Sequence, residues 1–276
     1  MFILNNISGK AVRDGSSETT TKTNSHAGVL HVRAYSPAPA IVSSGNLLRV
    51  TSQIAKQYRD KTSEMIFGKK PIVPWMKWRE IELVQEILTR LQPMKCLEWG
   101  AGYSTVYFPR FLPAAAQWIS VEHDDSWMAT IEKLNNLGNV TLSHVPPDRY
   151  PWTDAQDDGG FDDLKSYIEY PARHGKFDFI LVDGRARLDC LTKAAEIISD
   201  RGVLVMHDAN RARYGKRPDV FRHQVVFEDY RDYVGGFWIG SIGRPLDSVL
   251  DLQRLIPLWQ AYASLGKTRI GSMLRV

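Results

Sequence analysis

The 276-residue sequence has almost no cysteine, no long apolar run and no dominant sign of charge, and each absence removes a class of protein. Its two cysteines, Cys96 and Cys190, fall in apolar stretches of separate predicted elements, so buried free thiols are expected rather than a disulfide or a metal cluster. No stretch reaches the roughly 18 consecutive apolar residues of a membrane-spanning helix, and no membrane partner is expected. The opening MFILNN holds a four-residue apolar run, too short for a secretory core, which points to a cytoplasmic protein. Thirty-five Lys and Arg against 31 Asp and Glu leave a net charge of +4. So small and dispersed an excess argues against a nucleic-acid partner. The densest basic cluster is Arg211, Arg213, Lys216 and Arg217.

What is present reads as one substantial α/β core with decorated ends. Residues 1–45 are rich in Ser, Thr, Gly and Pro and form an N-terminal arm, mobile or ordered by a partner, with a short strand near Val29–Val32. A helical segment over 46–93 follows. One helix covers Leu47–Met65, Pro71 and Pro74 interrupt, and a second covers Lys77–Leu91 with Ile81, Val84, Ile87 and Leu88 inward and Glu80, Gln85 and Arg90 toward water. Residues 94–244 alternate strands with helices. The strands are placed at Lys95–Glu98, Gln117–Glu122, Val140–His144, Phe177–Asp183, Gly202–His207, Gln224–Phe227 and Gly236–Ser241, with a helix over Asp189–Ile198. The fold class is a doubly wound, mostly parallel α/β sheet with a C-terminal antiparallel edge hairpin, carrying an acidic lid insertion over 146–176. Residues 245–276 form a C-terminal helical extension, with an amphipathic helix over Val249–Leu265.

The first strand runs into a glycine turn, CLEWGAGYSTVYF. It places Glu98 at the strand tip, Gly100 and Gly102 in the bend, and Ser104 and Thr105 at a helix start, where unpaired N–H groups and polar caps face a ligand. The order differs from the dinucleotide fingerprint G-x-G-x-x-G, because an acid precedes the glycines and Thr105 stands in place of the third. A strand-tip carboxylate suits a cationic amino group and is badly placed beside a pyrophosphate. Glu122, 20 residues beyond Gly102 and ending the second strand, is positioned to accept ribose hydroxyls. Asp124 and Asp125 read as helix caps.

Glu98, Gly100, Gly102 and Glu122 resemble the first two motifs of class I S-adenosylmethionine-dependent methyltransferases, and the likeness extends over roughly Lys77 to Ser241. The resemblance implies S-adenosylmethionine as cofactor, with Glu98 on the methionine end, Gly100, Gly102, Ser104 and Thr105 along the cofactor and Glu122 on the ribose.

Two further strands end in VDGRAR and HDANR, and their tips should bring Asp183, His207 and Asp208 together. Three readings stay open. The trio holds a divalent metal such as Mg that activates an acceptor hydroxyl; or His207 takes the proton directly while a carboxylate orients it; or the residues are structural. Arg185, Arg187, Arg211 and Arg213 are placed to grip an acidic acceptor, and Trp75, Trp78, Trp99, Trp127, Tyr167 and Tyr170 are candidates to stack on the adenine or the acceptor, with Tyr167 and Trp99 preferred. The pattern resembles metal-assisted O-methyltransferases. It departs from the catechol type at His207-Asp208, where that type has Asp-Asn, and at Ala186, near the place of its lysine; HDANR is similar to the HDxDR stretch of plant glucuronoxylan 4-O-methyltransferases. The expected activity is O-methylation of a small molecule or sugar. The alternatives are a small-molecule N-methyltransferase and a nonenzymatic S-adenosylmethionine-binding protein. A base-modifying enzyme is disfavoured because VDGR replaces the [DN]-P-P-[YF] tetrapeptide. The arm and the C-terminal helix offer surfaces for a homodimer.

Overall fold

A computed structural model describes residues 29–32, 44–68, 71–149, 158–229 and 234–266. Most of the N-terminal arm, the middle of the 146–176 insertion and residues 267–276 therefore lie outside the described residues. Among the described residues no helix is long and apolar enough to cross a membrane.

Among the described residues eight strands form one sheet: β1 (Val29–Val32), β2 (Lys95–Trp99), β3 (Gln117–Glu122), β4 (Val140–His144), β5 (Phe177–Val182), β6 (Ile198–His207), β7 (His223–Phe227) and β8 (Phe237–Ser241). Their order is β1-β7-β8-β6-β5-β2-β3-β4. Only β8 runs against its neighbours, pairing antiparallel with both β6 and β7. The C-terminal hairpin is thus present, and β1 extends the sheet outward from it, parallel to β7.

Side chains alternate across the strands and feed two apolar layers. On one face Cys96, Trp118, Phe179 and Val205 pack under α2 (Trp78–Leu91) and α7 (Leu252–Gly266). On the other, Leu97, Val121, Ile180 and Leu204 pack under α5 (Phe161–Glu169) and α6 (Arg187–Ile197). Helix α2 shows why the sequence chooses this form: Ile81, Val84, Ile87 and Leu88 recur at helical spacing and are all fully buried. Each such side chain contributes about 1.5–3 kcal/mol. Gln92 ends the helix in a left-handed conformation (φ 48°), its N–H returning to the Leu88 carbonyl, before Pro93.

Helix α1 (Ser44–Phe67) stops before the Pro71–Pro74 stretch, which runs as a loop. Within the insertion, α5 is packed rather than free-standing, with Leu164, Tyr167 and Ile168 buried against α6. Cys96 and Cys190 are buried free thiols, as expected, and burial pushes both thiols up.

β2 lies between β3 and β5, and the chain crosses from β4 at one edge back to β5 on the far side of β2. Here the strand order reverses, the place where doubly wound sheets leave a crevice beyond the carboxyl ends of their strands.

Candidate functional site

The crevice is a cleft of about 810 Å³ over the tips of β2, β3 and β5. Its floor is the turn 100–104, tied down by Gly100 N–H to the Val121 carbonyl (2.8 Å) and by Asp183 N–H to the Trp99 carbonyl (3.0 Å). Gly100 has φ +95°, which excludes most side chains. A Cβ on Gly102 would meet only Ser104 Oγ, at 3.5 Å, so any side chain there would grow into open space.

Glu122 borders the cleft at the end of β3, 3% exposed. Its Oε1 accepts N–H groups from His123 (2.8 Å) and Asp124 (2.9 Å), which fixes the carboxylate's orientation. Asp124 caps α4 (Asp125–Leu134) by accepting the Trp127 N–H at 2.8 Å. Four carboxylates line the cleft (Glu122, Asp124, Asp125 and Asp183), against the guanidinium groups of Arg185 and Arg187. One wall is aromatic. Trp75, Tyr103 and Trp127 meet with ring centroids 5.1–5.9 Å apart, and the Trp127 indole donates to the Ala101 carbonyl (2.7 Å).

Several expected contacts do not reach this cleft. Glu98 is fully buried beneath the turn, not in the wall. The β2–β3 register sets Glu98 beside Ser120, and its two oxygens accept from Ser104 (2.5 Å), Thr105 (2.7 Å), Trp118 Nε1 (3.0 Å) and Ser120 (2.9 Å). The carboxyl that was expected to receive an amino group is consumed in holding the turn, and burial pushes it up to about 7 against those four hydrogen bonds. Ser104 lines the cleft but turns its hydroxyl to Glu98, and Thr105, which does the same, is fully buried. Trp99 and Tyr167 are also fully buried, the indole donating to the Tyr167 carbonyl, and act as core under the cleft. Trp75, Tyr103 and Trp127 take the aromatic place instead.

Asp183, His207 and Asp208 do converge, but around an arginine. Arg187 points from the start of α6 into the gap between the β5 and β6 tips. It donates to the Asp183 carboxylate (3.2 Å), the Asp208 carboxylate (3.2 Å) and the carbonyls of Asp183 (3.1 Å), Gly184 (3.0 Å) and His207 (2.9 Å). A divalent ion between those carboxylates would sit against a guanidinium, so the residues do not fit the expected metal. Among the described residues no three His, Cys, Asp or Glu form a ligand set. Arg187 and Arg211, which pairs with Asp208 at 2.7 Å, are spent within the fold rather than open to an acceptor; Arg213 is exposed, and Arg185 borders the cleft.

His207 is 7% exposed, with Asp183 Oδ1 3.0 Å from Nδ1 and Glu80 Oε2 3.6 Å from Nε2. Burial favours the neutral ring, but the two carboxylates outweigh it and hold the ring well above its usual range. Both ring nitrogens thus face carboxylates, which favour the charged ring over the neutral form that a proton acceptor needs. Burial likewise raises Asp208, yet His207, Arg187, the Gly235 N–H and Arg211 outweigh it and keep that carboxyl well below the usual range.

A second chamber of about 670 Å³ adjoins the cleft, with Trp75 as shared wall. Its floor holds Lys77, Glu80, His207 and Asp208, and its sides hold Pro71, Val73, Pro74 and Met76. Glu80, expected to face water, is 1% exposed, accepting N–H groups from Lys77 (2.8 Å) and Gly236 (3.1 Å). Lys77 Nζ lies 2.9 Å from Asp229, whose carboxylate also meets Arg79 at 2.9 Å. Burial and the Arg79 charge bring Lys77 down to about 8, against the pull of Asp229.

No protein-family model matches the sequence, and a comparison with curated proteins returns no match. Solved structures are similar at low sequence identity. The O-methyltransferase TomG from Streptomyces achromogenes, in complex with S-adenosylmethionine, is 13% identical over 75% of this chain and 100% of its own, with a TM-score of 0.45. An O-methyltransferase from Bacillus cereus, in complex with S-adenosylhomocysteine, is 13% identical over 68% and 99%, with a TM-score of 0.46. A methyltransferase-like protein from Silicibacter pomeroyi is 22% identical over 67% and 97%, with a TM-score of 0.41.

Proposed function

We propose that this chain is an S-adenosylmethionine-dependent methyltransferase acting on a hydroxyl of a small molecule or sugar. The observation that carries the reading is the chemistry of the cleft: a glycine floor, a fixed Glu122 at the β3 tip and four carboxylates around the opening. An acid-lined cleft suits a ligand bearing a sulfonium and an ammonium, and it repels a pyrophosphate. Glu122 suits the ribose diol, and the Trp75–Tyr103–Trp127 wall suits a purine.

When bound, S-adenosylmethionine supplies an electrophilic methyl group on a positively charged sulfur. The adjoining chamber holds the acceptor, with Trp75 and the proline loop against its apolar body and Lys77, Glu80 and His207 at its polar end. With no fit for a metal and the His207 ring held by two carboxylates, proton removal falls to Lys77, which lines the chamber and whose amine burial lowers to about 8. A base at this position favours oxygen over nitrogen as acceptor, because a neutral amine attacks without prior deprotonation. With Arg187 and Arg211 spent internally, the chamber takes a neutral ring as readily as an acidic one.

Calorimetry with S-adenosylhomocysteine and with NAD tests the reading. The wild type should bind the former and not the latter, and Glu122→Gln should weaken binding by roughly 10- to 100-fold, as for a hydrogen bond to a charged group. Absence of S-adenosylhomocysteine binding, or an indifferent Glu122→Gln variant, overturns it.

A further inference from the structure

We infer that Arg187 is a permanent internal cation, occupying the position between the β5 and β6 tips at which a divalent ion would bridge Asp183 and Asp208. The inference rests on the methyl-transfer reading for its catalytic consequence alone; the clamp is a property of the fold.

The guanidinium behaves as a coordination centre. Five hydrogen bonds radiate from it to two carboxylates and three backbone carbonyls, drawn from both strand ends and the turn after β5. At 5% exposure it has little water to fall back on, so those acceptors satisfy it. Both carboxylates are anchored from behind. Asp208 receives the Gly235 N–H at 2.6 Å and Arg211 at 2.7 Å, while Asp183 Oδ1 also meets the His207 ring at 3.0 Å.

The backbone is bent to make this arrangement. Ala186, immediately before Arg187, has φ 47°, and Asp208 has φ 60°, both in the left-handed region that costs a non-glycine residue about 1 kcal/mol or more. Asp158 holds the first bend, its carbonyl accepting the Ala186 N–H (2.6 Å) and its carboxylate the Arg187 N–H (3.1 Å). Two strained residues flanking one buried side chain mean that the surroundings over-determine its position.

Charge closes the argument. Asp183 and Asp208 both face Arg187, and Asp208 also faces Arg211, so both carboxylates are already met by guanidinium charge. A divalent ion added to this set would leave a buried excess of positive charge, and it enters only if Arg187 leaves. Arginine cannot lose its proton under ordinary conditions, so the site keeps its cation at every working pH and metal supply. In consequence the strand tips are held, and the neighbouring acceptor chamber polarised, without a metal.

The test uses Mn²⁺ as probe, followed by electron paramagnetic resonance of the free ion, on the full-length protein. Wild type should leave the signal unchanged at roughly 10⁻⁴–10⁻³ M, where weak carboxylate sites fill. Arg187→Gln should gain a site about tenfold tighter or more, because removing the guanidinium leaves paired carboxylates uncompensated. Adding Asp208→Asn to that variant should abolish the gain. A salt bridge of purely structural importance would lower thermal stability without creating a Mn²⁺ site. Should Arg187→Gln fail to fold, Arg187→Ala refolded with millimolar guanidinium supplies the variant, and removing the guanidinium should then open the site. Mn²⁺ binding by wild type that Asp208→Asn removes overturns the inference, as does a folded Arg187→Gln with no gained site. Titration of the same wild type with S-adenosylhomocysteine reports separately on the methyl-transfer reading.

Discussion

Gly100 and Gly184 meet backbone to backbone across the gap between β2 and β5: a Cβ on Gly100 would stand 2.5 Å from the Gly184 Cα. Neither strand tip could approach the other so closely with a side chain at either position, and this contact sets the depth of the cleft.

Gly100→Ala should therefore be costly twice over. The left-handed backbone contributes about 1–2 kcal/mol, and the collision adds about 1–3 kcal/mol as the tips are forced apart. Chemical denaturation should show a loss within the sum of those ranges, and S-adenosylhomocysteine affinity should fall even at temperatures where the variant stays folded. Unchanged stability would mean that the two tips are not in contact.

Glu98 gives a pH prediction of unusual sign. Its carboxyl rises from 4.5 to about 7 in the fold, chiefly through burial, so the folded state favours the protonated form. Its stabilising contribution is complete below pH 4.5 and is lost as pH rises through 7, a change of roughly 3 kcal/mol from the linkage of pKa to stability. Glu98→Gln can accept the Trp118 N–H and donate to Ser104, so it should fold. The wild-type-minus-variant difference in unfolding free energy should decline between pH 4.5 and 7 and then level off. The variant should also retain S-adenosylhomocysteine binding; a loss would restore Glu98 as a direct ligand of the amino group.

These two residues show how far the sequence could be read. The strands were visible because parallel, doubly covered strands such as FILV and VLVM are continuous apolar runs, and Glu122 was recognisable from its distance to the glycine turn. Glu98 was correctly placed at a strand tip. Which face it takes depends on its register with Ser120 and Trp118, and pairing partners cannot be seen along a single strand. Arg187 was equally opaque. A residue at a helix start ordinarily faces solvent, and only the left-handed turn at Ala186 swings this one inward. Glu80 passed for a solvated residue because its partner His207 comes from β6, more than a hundred residues away, and the Lys77 partner Asp229 follows β7 at a similar remove.

Lys77 supplies the remaining prediction. An amine acts as base when unprotonated, and burial with the Arg79 charge lowers this one from 10.5 to about 8. Methyl transfer from radiolabelled S-adenosylmethionine to a panel of phenols and sugars should rise with pH and level off above about 8, not above 10.5. Lys77→Arg keeps the charge but cannot give up its proton; it should cut the rate by about 10²–10⁴-fold and abolish the rise. Binding of S-adenosylhomocysteine should persist. A variant with the wild-type pH profile would remove Lys77 from the chemistry.

The place of β1 bears on how the molecule is made. Val29 pairs with Gln224, so the outermost strand and its docking site on β7 lie about two hundred residues apart along the chain. Docking β1 closes a loop of about two hundred residues, at an entropic cost that local pairings such as β7 with β8 do not carry. Until then β7 presents an open edge able to pair with another chain. A chain lacking β1 would leave that edge of β7 uncovered, an edge that invites pairing with another chain.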